Sequence, residues 1–209
     1  MKLSVPLVFD KDHVYVADMT EHSQLDETME GLVDYGTPLA AATGSILAAT
    51  AIIAAGILNV NKKVDDYYGR TIQVTSTAAG TLTIYGRDYL NQQMTQQVTA
   101  IVGTVTTTKA FKFIDRIVSG TVAGNVSLGI GTKFGVPFVV SELVKEYDDG
   151  LGVAMPTLTN PDTATPSATT GEIRGTVTPT AAINGVINVQ MKMRFNQDAV
   201  GGLYGRAQA

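Results

Sequence analysis

The sequence predicts an all-β fold, a two-sheet antiparallel sandwich of jelly-roll type, and three observations carry that prediction. Between Tyr68 and Phe138 the chain is a succession of Thr-rich segments in which apolar and polar residues alternate with a period of two. That period places one side of each segment in a core and the other in water. Glycines fall between these segments, where turns are needed. Far downstream, Ile187, Val189, Met191, Met193 and Phe195 alternate strictly with Asn188, Gln190, Lys192 and Arg194. A strong late strand after a long loop implies non-local pairing, as in a sandwich with crossing connections.

Taken in order, the chain opens with an acidic stretch. Residues 1–36 hold Asp10, Asp12, Asp18, Glu21, Asp26, Glu27, Glu30 and Asp34 against Lys2 and Lys11. Apolar residues there are too sparse for a core of their own, so the stretch is expected to be an extended arm lying on another surface. Its first residues, with Leu3, Val5, Leu7 and Phe9 alternating, lack the apolar run of a secretory leader. The body is expected over residues 37–209. Its first part, 37–60, carries no charge but contains Pro38, Gly44, Gly56 and many alanines, which are near neutral for membrane insertion. It reads as one short buried helix, Ile46 to Ala55, started by Thr43 or Ser45 and stopped at Gly56, rather than a membrane span.

In the strand-rich part, Ile72 and Val74 oppose Thr71, Gln73 and Thr75, and Leu82 and Ile84 oppose Thr81 and Thr83. The break Thr77-Ala78-Ala79-Gly80 reads as a hairpin loop. In AFKFIDRIV, Phe111 and Phe113 alternate but Ile114 and Ile117 fall out of phase, which predicts a bulge. Val126, Leu128 and Ile130 form a further strand. SELVKEYDDG (141–150) fits a helical turn or an edge strand, with a turn at Asp148-Asp149-Gly150. Residues 156–180 hold four prolines and nine threonines and read as a loop ordered by its neighbours.

Composition narrows the function. There is no cysteine, hence no disulfide, thiolate metal site or cysteine nucleophile, and the composition suits folding in a reducing cytoplasm. A net charge of −4 and a pI near 5.1 argue against an electrostatic footprint for nucleic acid. His13 and His22 sit near Asp10, Asp12 and Glu21, but the spacing matches no metal motif. Gly129, Gly131 and Gly135 follow a strand without opening a helix, as a dinucleotide fingerprint would require. No G-x-S-x-G elbow is present. The pairs Asp65-Asp66 and Asp148-Asp149 point to opposite faces when extended, so neither makes an acid/base couple. The tripeptide Tyr-Gly-Arg recurs at 68–70, 85–87 and 204–206, at unequal spacing, and reads as a bend flanked by surface side chains. No catalytic residue, no metal ligand and no cofactor-binding residue is assigned, and an enzyme ranks last.

Several segments resemble a class of tailed-bacteriophage virion proteins. Gly86-Arg87-Asp88-Tyr89-Leu90, Lys109-Ala110-Phe111-Lys112, Gly135-Val136-Pro137-Phe138, ATTGEIRGTVTPT (168–180) and the terminal LYGRAQA match patterns of that class. Asn91-Gln92-Gln93-Met94 departs from its usual Gly and Pro. The resemblance covers residues 55–209, and more weakly the Ala-rich part before them. It implies a head decoration, or cement, protein: non-enzymatic, seated on the capsid exterior, made in the host cytoplasm, and bound to the major capsid protein and to neighbouring copies as a dimer or trimer. It implies no direct nucleic-acid or membrane contact. The acidic arm would dock on a basic strip of capsid or swap onto a neighbouring copy, and protein lacking residues 1–36 would then compete poorly with the intact chain. A tail, collar or fibre-base protein is the alternative reading, and a glycan- or receptor-binding sandwich a further one.

Overall fold

The computed structural model describes residues 7–9, 28–162, 171–180, 183–196, 198–199 and 201–206. Every regular element among them is a strand. The chain enters through β1 (Leu7–Phe9) and β2 (Thr28–Asp34). It then makes β3 (Ala42–Ile52), β4 (Ile57–Lys63), β5 (Arg70–Ser76), β6 (Gly80–Arg87), β7 (Gln93–Ala100), β8 (Gly103–Thr106), β9 (Phe113–Ser119) and β10 (Gly124–Gly135). It closes with β11 (Val140–Asp148), β12 (Leu151–Val153), β13 (Thr157–Thr159), β14 (Thr176–Thr178) and β15 (Val189–Asn196).

Strands β3 to β10 form the expected sandwich. One sheet runs β3-β10-β5-β8, the other β4-β9-β6-β7, and all their pairings are antiparallel. This interleaving of two Greek keys is the strand order of a jelly roll. Ile72, Val74, Val126, Leu128 and Ile130 face Leu82, Ile84, Val98, Ile114 and Ile117 across the first core. Each such side chain, fully buried, contributes about 1.5–3 kcal/mol of transfer free energy.

A third sheet, β1-β2-β15-β11-β12, adds a layer beyond the two sheets expected. It packs on a second core in which Val33, Tyr35, Leu143, Met191, Met193 and Phe195 meet Phe134, Val136, Phe138 and Val177. The far end of β10 leaves β3 and takes β14 as its new neighbour, pairing Phe134 with Val177. Tyr35 Oη donates to Gly135 O at 2.9 Å, and its ring lies 4.9 Å from that of Phe134.

Several expectations are corrected. The stretch expected as a helix, Ile46 to Ala55, is mostly strand: β3 pairs with β10, with register shifts that absorb extra residues and Gly44 at φ +70°. Strand pairing with a long neighbour overrides the helical preference of its alanines. No helix among the described residues is long and apolar enough to cross a membrane. Thr77 to Gly80 is a crossover between sheets rather than a hairpin, since β5 and β6 belong to different sheets. Thr71 is fully buried rather than solvent-facing.

The last part of the acidic stretch lies within the body, as a strand of its third sheet. Residues 28–34 pair with β15 at seven consecutive registers, so a chain starting at residue 37 would lose a strand of the third sheet. The remaining acidic residues, Asp10, Asp12, Asp18, Glu21, Asp26 and Glu27, lie outside the described residues. Residues 141–148 are strand rather than helix: β11 pairs with β15 along its length, and β12 covers its other side only from Glu146 to Asp148. Two register shifts along β11 bury Val140, Leu143 and Glu146 on one side, a three-residue spacing that mimics a helix. Part of the Thr/Pro-rich stretch is strand as well, with β13 and β14 paired; 163–170 lie outside the described residues.

Other readings hold. The bulge in β9 falls at Asp115, which has no partner between the pairs Tyr85–Arg116 and Gly86–Ile114. Asp149 and Gly150, both at positive φ, make the tight β11–β12 turn with Asp148 opposite Leu151.

Candidate functional site

Charged side chains gather in several places among the described residues. One is buried where the jelly roll meets the third layer. Asp88 opens the β6–β7 loop, where its Oδ1 accepts from Gln92 N at 2.8 Å and its O from Asn91 N at 3.1 Å. Asn91 has φ +63°, a left-handed conformation that Gly adopts freely and Asn tolerates.

Arg174, just before β14, donates from Nη2 to Asp88 Oδ2 at 2.7 Å, and Glu172 Oε1 stands 3.9 Å from the same nitrogen. Both members of the Asp88–Arg174 pair are at most 3% exposed. Arg174 Nη1 also donates to Tyr204 O at 3.3 Å, and its guanidinium lies 5.0 Å from the Tyr89 ring centroid. Glu172 Oε2 accepts from Ala110 N at 2.8 Å. Tyr89 Oη donates to Pro137 O, and the rings of Phe138 and Tyr204 are 5.1 Å apart.

The segments GRDYL, KAFK, GVPF, GEIRG and LYGR therefore converge on one polar clasp. They are scattered from Gly86 to Arg206 in sequence. Burial works against the charge of Arg174, but Glu172 and Asp88 outweigh it and hold its pKa above the usual value. Burial lowers that of Lys109, with Glu172 and Asp162 pulling the other way, and raises that of the Tyr89 phenol. An ion pair this enclosed, with both carboxylate oxygens of Asp88 engaged, ties the layers together.

The three Tyr-Gly-Arg tripeptides have different fates. Tyr68 and Arg70 are buried, against the expectation of surface positions. Arg70 Nε and Nη2 both donate to Gly131 O, Nη1 donates to Leu39 O at 3.0 Å, and the guanidinium covers Phe134 at 4.4 Å. Burial lowers its pKa to about 10, partly offset by Asp65. Gly86 is closed in by Phe113 O, 2.2 Å from where a Cβ would stand. Tyr204 is half exposed on Phe138.

A second place is on the outer face of the sheet β4-β9-β6-β7. A cleft of about 250 Å³ there is lined by Lys63, Arg87, Lys112, Phe113, Tyr89 and Asp88, among others. Arg87 Nη2 donates to Asp115 at 2.8 Å and Nη1 to Asn91 Oδ1 at 3.1 Å, while its guanidinium lies 4.4 Å from the Phe113 ring centroid. One turn of the sheet away, Arg116 stacks at 4.3 Å over Tyr85. This basic face was not singled out from sequence. Its cations come from three different strands and the segment before one of them, and only the strand order brings them together.

Among the described residues no group of three or more His, Asp or Glu could hold a metal ion. His13 and His22 lie outside the described residues, as do Asp10, Asp12 and Glu21. Gly129, Gly131 and Gly135 serve sheet packing: an added Cβ would stand 1.9 Å from Ala42 O, 2.4 Å from Thr71 Oγ1 and 2.4 Å from Tyr68 O respectively. Asp65 accepts from Gly69 N at 3.2 Å while Asp66 pairs with Lys63, so the two adjacent carboxylates act apart. No protein-family model matches the chain, and comparison with curated proteins and with solved structures yields no match either.

Proposed function

We propose that this chain is a non-enzymatic structural protein of a tailed-bacteriophage virion that binds the outside of the capsid lattice and stabilises it. The observation that carries the reading is the convergence of its virion-like segments. Asp88 of GRDYL, Ala110 of KAFK, Pro137 and Phe138 of GVPF, Glu172 and Arg174 of GEIRG and Tyr204 of LYGR all meet in one clasp. The segments on which the resemblance rests thus belong to a single three-dimensional feature. The jelly-roll strand order supports the same reading by analogy, since viral capsid proteins use that architecture; so do lectins, and a fold alone does not decide a function.

The mechanism is added contact area rather than bond-making. Each copy docks where capsid subunits meet, and the contact repeats over the shell. A modest contact per copy becomes a large resistance to internal pressure through multivalency. The partners are the major capsid protein and neighbouring copies of the chain, with the protein made in the host cytoplasm and carried on the capsid exterior. Contacts with nucleic acid or membrane have no part in it.

The alternative is a tail, collar or fibre-base protein, which shares the architecture and differs in copy number. Quantitative mass spectrometry of purified virions separates the two. Hundreds of copies in simple ratio to the major capsid protein are expected. A few tens or fewer would place the chain at a vertex or tail, and absence from the particle would overturn the virion reading.

A further inference from the structure

The outer face of the sheet β4-β9-β6-β7 carries a pattern that neither core requires. Across the strands the register forms rows: Lys63, Phe113, Arg87 and Gln93 in one, Asn59, Arg116, Tyr85 and Thr95 in another, and Ile57, Val118, Thr83 and Gln97 in a third. Cations sit over aromatic rings in the first two rows, and the third begins with Ile57, 60% exposed. With Lys112 beside the cleft, the cations of this face, Lys63, Arg87, Lys112 and Arg116, outnumber the carboxylates that accompany them, Asp66 on Lys63 and Asp115 on Arg87, on a chain whose net charge is −4.

We propose that this face is a docking surface for a second copy of the chain, which presents the acidic end of its third sheet. The inference rests on the self-association part of the proposed function and names the surface that performs it. At that end Asp34 and Asp149 both bond Asn188, and Asp148 stands next to them opposite Val189. The backbone N of Asn188 donates to Asp149 Oδ1 at 2.9 Å and its Nδ2 to Asp34 Oδ1 at 3.4 Å. Leu151 and Val186, 73% and 74% exposed, stand in the neighbouring chain segments. Each patch therefore sets an excess of one sign of charge beside exposed aliphatic surface, and the two excesses are opposite.

Three physical points favour this pairing. The guanidinium groups are held before contact, Arg87 by Asp115 and Asn91 and both Arg87 and Arg116 by ring stacking, so docking costs little side-chain entropy. Arg and aromatic residues are the types that anchor protein interfaces. The two patches are different surfaces of one chain, so the contact is heterologous, and its repetition gives a closed ring or an open filament according to the rotation between copies. Burial and the neighbouring Asp149 raise the carboxyl pKa of Asp148, a cost of crowding that opposing cations relieve.

Sedimentation velocity of the full chain tests this, at low salt and at about 0.5 M salt, where exposed charges are screened within a few ångströms. Association at low salt is expected, weakened by added salt. Lys63→Glu combined with Arg116→Glu is expected to weaken it about tenfold or more, since reversing a charge replaces attraction with repulsion. Asp149→Asn, which keeps the turn and an acceptor for Asn188, should weaken it in the same direction. Arg194→Glu, toward the end of β15 away from Asn188, changes net charge by as much as either single reversal and should leave association intact. Lys63→Glu alone, at a side chain 56% exposed, carries the test if the double variant misfolds. Association indifferent to the Lys63 and Arg116 reversals would overturn the surface while sparing self-association. A monomer under all conditions would overturn both.

Discussion

Asp88 and Arg174 show what a buried ion pair asks of its surroundings. Each has a second partner, Gln92 N for the carboxylate and Tyr204 O for the guanidinium, so neither charge is left bare when the other is engaged. Asp88→Ala is expected to cost about 3–5 kcal/mol in denaturant unfolding, because Arg174 would keep its charge without its main counter-ion. Asp88→Leu with Arg174→Met, which leaves Glu172 to Lys109, should recover part of that loss, and a double variant no better than the single would contradict this account of the clasp. Asp65 gives a pH-dependent case. Burial raises its pKa from 3.8, against Arg70 and backbone donors that lower it. The folded state then holds this proton to higher pH than the unfolded state does, so its contribution to stability falls as pH rises from about 3.8 through the folded value. Asp65→Asn should therefore be more stable than the parent at neutral pH, with the advantage fading as pH drops through the carboxylate range; thermal melts across that range read it directly. Residue types at these sites were visible in the sequence. What was not visible was which charges meet, because Asp88 and Arg174 touch only when the third layer closes on the jelly roll.

Alternation identified the strands wherever the ladder is regular. Ile72 and Val74, Leu82 and Ile84, and Met191 to Phe195 all lie in a core as their spacing demanded. It failed where bulges break the period. In β11 two register shifts convert a strand into an apparent helical spacing, and in β3 alanines and a charge-free composition hid a strand that β10 imposes. Sheet changes were also illegible: Thr77 to Gly80 has turn composition whether the chain folds back or crosses over. The contact between β3 and β10 depends on glycine at a place of close approach, where a Cβ on Gly129 would stand 1.9 Å from Ala42 O and 2.7 Å from Thr43 Cα. Gly129→Ala is expected to destabilise by about 1–3 kcal/mol, the usual cost of overpacking, measured as a shift in the unfolding midpoint. A neutral result would mean that β3 does not lie against β10 as described.

The whole molecule is a jelly roll with a third sheet laid against one end of it, and the join is aromatic and ionic. Tyr35, Tyr68 and Tyr89 follow one another at ring distances of 5.6 and 5.5 Å, running from the third layer toward the clasp. With Phe134 and Phe138 in the same core, the layers share side chains too extensively to melt apart. Thermal unfolding should accordingly show one transition, coincident in far-ultraviolet and tyrosine signals; two separate transitions would mean that the layers fold independently. At this scale the sequence announced a β-sandwich but neither the third sheet nor the basic face, since both are made by strands distant in the chain. The central claim is that such a body serves by repetition on a capsid. Its most direct test is the copy number of the chain in purified virions relative to the major capsid protein. The account predicts hundreds of copies in simple ratio to the lattice, and a handful per particle, or none, would contradict it.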